Sequence, residues 1–222
     1  MPLALITGAT RGIGAATARA LAPTHTLLLG GRDVAALEAL AADLPDARPW
    51  PVELTDADAL AAGVADLSEV DVLIHSAGIA RVGPLADATA ARWREMYEVN
   101  VIAPVELTRL LLPALRATRG HVVLVNSGAG RNAHPGWGPY AASKFALRAY
   151  ADVLRGEEPD IRVTSIYPGR TDTAMQRTVR TDEGGPYEPD RYLTPDSVAA
   201  AIRAAVLATP EAHPTEVIIR PR

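Results

Sequence analysis

The 222-residue sequence contains no cysteine, a single lysine among 22 basic residues and a single phenylalanine. Without cysteine there is no disulfide framework, thiolate nucleophile, cysteine-held zinc or iron–sulfur cluster. Positive charge is also short. Acidic residues number 26 and the formal net charge is -4, which excludes the clustered cationic footprint that nucleic acid requires. No apolar run reaches the roughly 20 residues of a membrane span. The most apolar stretch, Val101 to Leu115, is interrupted by Pro104, Glu106, Arg109 and Pro113. The start, MPLALITGAT, has neither a basic leader nor a small-residue cleavage site. A cytoplasmic protein with no nucleic-acid or membrane partner is expected.

Brief, often β-branched apolar runs occur at Leu3 to Ile6, Thr26 to Leu29, Val70 to His75, His121 to Asn126, Ile161 to Tyr167 and Glu216 to Ile219. Buried parallel strands have this character. Helical patterns lie between them: Ile13 to Leu21, Val34 to Leu44, Ala57 to Leu67, Ala91 to Leu115 with a break near Asn100 to Pro104, Tyr140 to Leu154, and Ser197 to Leu207. Thr55 before Asp56, and Thr194 before Pro195, read as helix-start signals. The alternation predicts an α/β fold: a doubly wound parallel sheet with helices on both faces, in a single domain over 1–222. The one long irregular stretch, Thr171 to Tyr192, contains Gly184-Gly185-Pro186 and Pro189. A substrate lid over 170–193 or a floppy insertion would each account for it.

Where the first strand meets the first helix the sequence reads Thr7-Gly8-Ala9-Thr10-Arg11-Gly12-Ile13-Gly14. Glycines there permit a tight turn, let backbone approach a pyrophosphate and bring helix close to strand. A bare strand-to-helix turn would use the same residues. At the second strand's tip, where a carboxylate would accept the ribose 2'-hydroxyl of NAD, Gly31 stands instead and Arg32 follows. Arg32 with Arg11 suits a 2'-phosphate, so NADP(H) is expected in preference to NAD(H). Asp33 reads as a helix cap.

Tyr140 and Lys144, the sole lysine, are four residues apart on a predicted helix and share a face. A nearby cation favours the phenolate and brings a phenol toward useful basicity. With six tyrosines present, this spacing arises by chance in about 3% of placements. Ser127 lies thirteen residues before Tyr140, just after a predicted strand, at the sheet edge where such folds bind ligands.

Taken together, these ordered motifs resemble the short-chain dehydrogenase/reductase family from Gly8 through Thr173. The resemblance implies a Rossmann-type sheet of about seven strands in the order 3-2-1-4-5-6-7. It also implies roles. Tyr140 would be the general acid/base, Ser127 would bind the substrate oxygen, and Lys144 would hold the nicotinamide ribose and favour the tyrosinate. Asn100 would hold a proton-relay water. The cofactor would be cradled by Gly8, Thr10, Arg11, Gly12, Ile13 and Gly14. Arg32, Glu53, Leu54, Ala77 and Gly78 would line its adenine and ribose end, and Pro168, Gly169, Thr171 and Thr173 its nicotinamide and phosphates. Two departures stand out: His75-Ser76 replaces a usual asparagine pair, and Glu53 replaces a usual aspartate. His75 therefore reads as an interior residue, not a catalyst.

The activity implied is hydride transfer between the nicotinamide and a small carbonyl or alcohol substrate. Substrate contacts are expected from Arg81-Val82, from His134 to Trp137, and from Met175, Gln176, Tyr187 and Tyr192. Trp137 fits packing equally well, and Arg177 and Arg180 fit either a carboxylate site or plain solvation. Two rivals remain: an NADP-binding sensor without turnover, and an epimerase or dehydratase, which usually has a longer substrate domain. Family members commonly form dimers or tetramers through the long helices and last strand.

Overall fold

Alternation along each strand sets the layering. The computed structural model describes residues 1–222. It has seven parallel strands: β1 (Leu3–Thr7), β2 (Thr26–Gly31), β3 (Ala47–Pro51), β4 (Val72–His75), β5 (His121–Val125), β6 (Arg162–Pro168) and β7 (Glu216–Ile219). They form one sheet in the order β3-β2-β1-β4-β5-β6-β7. Leu5, Leu73, Val122, Leu124 and Val163 face one side, against α3 (Ala57–Val64), α5 (Ala103–Thr118) and α6 (Gly138–Glu157). Ile6, Ile74, Val123, Val125 and Ile166 face the other, against α1 (Gly12–Leu21), α2 (Val34–Ala42) and α8 (Pro195–Val206). Each large aliphatic side chain buried in these layers contributes about 1.5–3 kcal/mol. No helix is long and apolar enough to cross a membrane.

Strand β3 has no counterpart among the predicted apolar runs, because Ala-Arg-Pro-Trp-Pro does not look like a strand. Its place at the sheet edge explains the prolines. Val52 N–H donates to Gly31 O, so residues 49 and 51, of opposite parity, turn their nitrogens to the open edge, where no ladder bond is lost. Trp50 then packs over two glycines; a side-chain carbon at Gly30 would approach its ring to 2.8 Å.

The break predicted near Asn100 is a π turn, Glu98–Ile102, which joins α4 (Ala90–Tyr97) to α5. Two expectations need correction. The cap of α3 is Asp56, whose Oδ1 accepts from Ala59 N at 3.0 Å; Thr55 instead donates its hydroxyl to Glu53. The stretch 171–192 is not irregular throughout, since α7 (Ala174–Asp182) forms inside it, capped by Thr173. Only Gln176 and Val179 are buried on that helix, which is nine residues long, mostly polar and followed closely by Gly184-Gly185-Pro186.

Candidate active site

The turn between β1 and α1 needs its glycines. Gly8 (φ +66°) and Gly12 (φ +57°) occupy the left-handed region, and a side-chain carbon at Gly14 would lie 2.2 Å from Gly8 O. Arg11 precedes α1 in extended conformation without a capping side chain, and the first turn carries no acidic residue. The helix therefore presents free N–H groups at its start, a cradle for an anion such as a pyrophosphate. Ala77 presses against Gly8, and Thr7 Oγ1 accepts from the N–H groups of Ser76 and Ala77, which ties the end of β4 to the turn. His75 points away, pairs with Thr108 at 2.9 Å and is held neutral by burial at about 3, as an interior residue should be.

At the tip of β2 a side-chain carbon on Gly31 would meet Thr10 Cγ2 at 2.8 Å, so a carboxylate does not fit there without displacing Thr10. Exposed Arg32 lies 3.4 Å from the Glu53 carboxylate. Glu53 also accepts from the Thr55 backbone and hydroxyl. Asp33 caps α2 through Ala36 N. Leu54 packs against the core below.

One turn of α6 carries both Tyr140 and Lys144, each buried. Lys144 Nζ donates to Val125 O at 3.0 Å and sits 6.0 Å from the centre of the Tyr140 ring. Burial pulls the ammonium down to about 8. Burial pushes the Tyr140 phenol up, while the neighbouring Ser127 hydroxyl draws it back. Ser127 extends from the end of β5, where its Oγ also accepts from Ala129 N at 3.1 Å. Asn100, in the π turn, donates to Ile79 O and Ser143 Oγ and accepts from Ile79 N at 2.9 Å. Gly78 keeps the adjoining space open, since a side-chain carbon there would lie 3.2 Å from Asn100 Oδ1 and 3.8 Å from Lys144 Nζ.

A cavity of about 480 Å³ gathers Ser127, Tyr140, Lys144, Gly78, Thr171 and Thr173. Ile13, Ala77, Pro168 and Gly169 line it as well. Arg32, Glu53, Leu54 and Asn100 do not line it, and of the turn between β1 and α1 only Ile13 does. Trp137, Met175, Gln176 and Val179 line the cavity too, as does Arg170, forked onto Glu183 at 2.8 and 2.9 Å and 5.7 Å from the Trp137 ring centre. Trp137 both packs on Tyr140 and borders the cavity. Arg170 was not among the predicted contacts, although it interrupts the Pro168-Gly169 and Thr171 motif.

Several predicted contacts fall elsewhere. Arg81, Val82, Tyr187 and Tyr192 do not line the cavity. The Tyr187 hydroxyl bonds to Asp172, and its ring meets Tyr192 edge to face and lies beneath Arg177. Arg180 is taken by Glu183 and by Pro186 O. Side chains that sequence reasoning passed over hold the site from behind: Asn126 donates to Lys144 O, and Ser143 donates to Tyr140 O.

A family model described as short chain dehydrogenase matches residues 2–184. The chain belongs to the short-chain dehydrogenase family. It is accordingly an oxidoreductase of a family that binds nicotinamide cofactors. This short-chain dehydrogenase is 36% identical over 220 residues to rat dehydrogenase/reductase SDR family member 7B, covering 91% of this chain and 66% of that one. It thus spans just under two thirds of that relative's length. To bovine dehydrogenase/reductase SDR family member 11 it is 31% identical over 243 residues, covering 99% and 95%. Among solved structures it resembles an alcohol dehydrogenase from the archaeon Thermococcus sibiricus complexed with 5-hydroxy-NADP, with a TM-score of 0.91, 29% identity, and coverage of 100% and 97%. The strand order and layers seen here are those of its Rossmann-type sheet.

Proposed function

We propose that this short-chain dehydrogenase is an NADP(H)-dependent carbonyl reductase or alcohol dehydrogenase with Tyr140 as its general acid/base. The observation that carries the reading is that a phenol, an ammonium and a hydroxyl, from Tyr140, Lys144 and Ser127, border one cavity beside the glycine turn. The uncapped start of α1 would hold the cofactor pyrophosphate, Arg32 a 2'-phosphate, and Thr171 and Thr173 the nicotinamide end. When bound, the nicotinamide supplies or accepts the hydride.

In reduction, Tyr140 Oη gives its proton to the substrate oxygen as that oxygen gains charge, and Ser127 Oγ–H donates a hydrogen bond to the same atom. The Lys144 ammonium stabilises the tyrosinate that remains. Ile79 O and Ser143 Oγ take both N–H bonds of the Asn100 amide, so a relay water would be held by an Asn100 carbonyl oxygen. The helix and loop over 170–193 act as the substrate lid, Met175, Gln176 and Val179 contributing its inner wall. Exposed Phe145 and Val153 on α6 support association of this chain into a homodimer or homotetramer, which light scattering tests.

The decisive assay follows NADPH oxidation with a panel of ketones, aldehydes and quinones. Tyr140→Phe is expected to lower kcat by about 100-fold or more while NADPH still binds. NADPH binding without turnover on any member would favour the non-catalytic sensor.

A further inference from the structure

Helix α7 turns only two side chains inward, Gln176 and Val179, one helical turn apart. Val179 joins the small apolar cluster of Ala80, Val82, Met96 and Tyr140. Gln176 lines the same cavity and is only 8% exposed, yet its Nε2 is buried without any hydrogen-bond partner. A buried amide that donates to nothing is unfavourable, and native structures rarely leave one so. Rotation about the terminal side-chain bond exchanges nitrogen and oxygen, which brings the NH2 group out of its sealed position to the one the oxygen holds, where a ligand can meet it.

The neighbouring cations are not competing for a charged ligand. Arg170 and Arg180 both close on the Glu183 carboxylate, so a substrate carboxylate would have to displace it. Trp137, Met175 and Val179 supply apolar wall beside the amide.

We infer that Gln176 is a specificity-determining residue, whose amide donates to a second, uncharged oxygen of the substrate, other than the carbonyl that Tyr140 and Ser127 engage. The preferred substrate class is then a neutral carbonyl compound with another oxygen acceptor, such as a keto ester, a diketone or a hydroxyketone. The inference deepens the proposed carbonyl reduction and rests on it. A site built to hydrogen-bond a substrate discriminates strongly against the analogue without the partner atom.

The test compares ethyl acetoacetate with 2-heptanone, whose chains are equally long, in the wild type and in Gln176→Met. The ratio of the two ratios removes their different intrinsic reactivity. The variant should lose about tenfold in kcat/KM for the keto ester, mainly through KM, with the ketone changed by less than about twofold. Its NADPH dissociation constant, read by fluorescence, should not move. Its unfolding midpoint should hold or rise, because an unpartnered amide has been replaced by an apolar chain of similar length. Equal loss on both substrates, or an unchanged ratio with turnover intact, overturns the inference alone. Weakened NADPH binding with discrimination retained also overturns it, assigning the amide to the cofactor. Absence of turnover with every carbonyl compound removes the proposed activity and this inference with it.

Discussion

Lys144 Nζ donates to the backbone carbonyl of Val125 at 3.0 Å, pinning α6 to the last residue of β5, two positions before Ser127. The same burial that makes this bond holds the ammonium near 8, below its ordinary 10.5. Because the folded value is the lower one, the unfolded chain keeps a proton between pH 8 and 10.5 that the folded chain has released. Stability from this group therefore rises with pH across that window, by up to about 3 kcal/mol. Denaturant midpoints measured from pH 7 to 9.5 should show the wild type gaining on Lys144→Met. A constant difference would contradict the buried ammonium. The raised Tyr140 value acts only above its ordinary 10, outside this range.

Acid should unfold the protein steeply. His75 and His121 are both buried and held near 3, against 6.5 when exposed. Below pH 6.5 the unfolded chain takes up protons that the folded chain refuses, so stability falls as pH drops toward 3, by about 4–5 kcal/mol for each histidine. Replacing His75 by glutamine should flatten this limb, measured by unfolding at pH 4 to 7. An unchanged acid slope would show that His75 charges freely.

The Arg32 and Glu53 pair bears on cofactor choice. Arg32→Ala should weaken NADPH binding by about 10- to 100-fold and leave NADH untouched, since only NADPH carries a 2'-phosphate on its adenine ribose. Glu53→Gln removes the carboxylate 3.4 Å from Arg32 and should tighten NADPH. Fluorescence titration of both variants with both cofactors reads this directly, and equal losses for NADH and NADPH would remove Arg32 from phosphate recognition.

Crowding at the glycine turn sets a fourth expectation. Gly14→Ala forces a carbon to 2.2 Å from Gly8 O and should lower stability by about 1–3 kcal/mol while weakening both cofactors. Thermal unfolding with and without NADPH tests it; a fully stable variant with native affinity would mean that α1 can shift freely.

The buried strands were legible because their residues are apolar on both faces, as β1 and β5 show. The edge strand was not, because Pro49 and Pro51 are tolerated only where one edge lies open, and a linear sequence does not show which strand that is. Helix α7 was not legible because it is short and mostly polar, and the glycines and proline that follow it read as loop. Tyr187 and Tyr192, plausible substrate contacts by position, spend their rings on each other and on Arg177.

Local chemistry written in consecutive residues was determined by the sequence alone: glycines where the chain must turn, a phenol and an ammonium one helical turn apart, a hydroxyl after a strand. Which side chains point into the cavity was decided only when distant segments packed. Arg170 met Glu183, Asn100 met Ser143, and Gln176 was left with its amide unpaired. Those outcomes depend on the relative placement of β6, α6 and α7, because a hydrogen bond reaches about 3 Å and no sequence pattern states which groups will come that close.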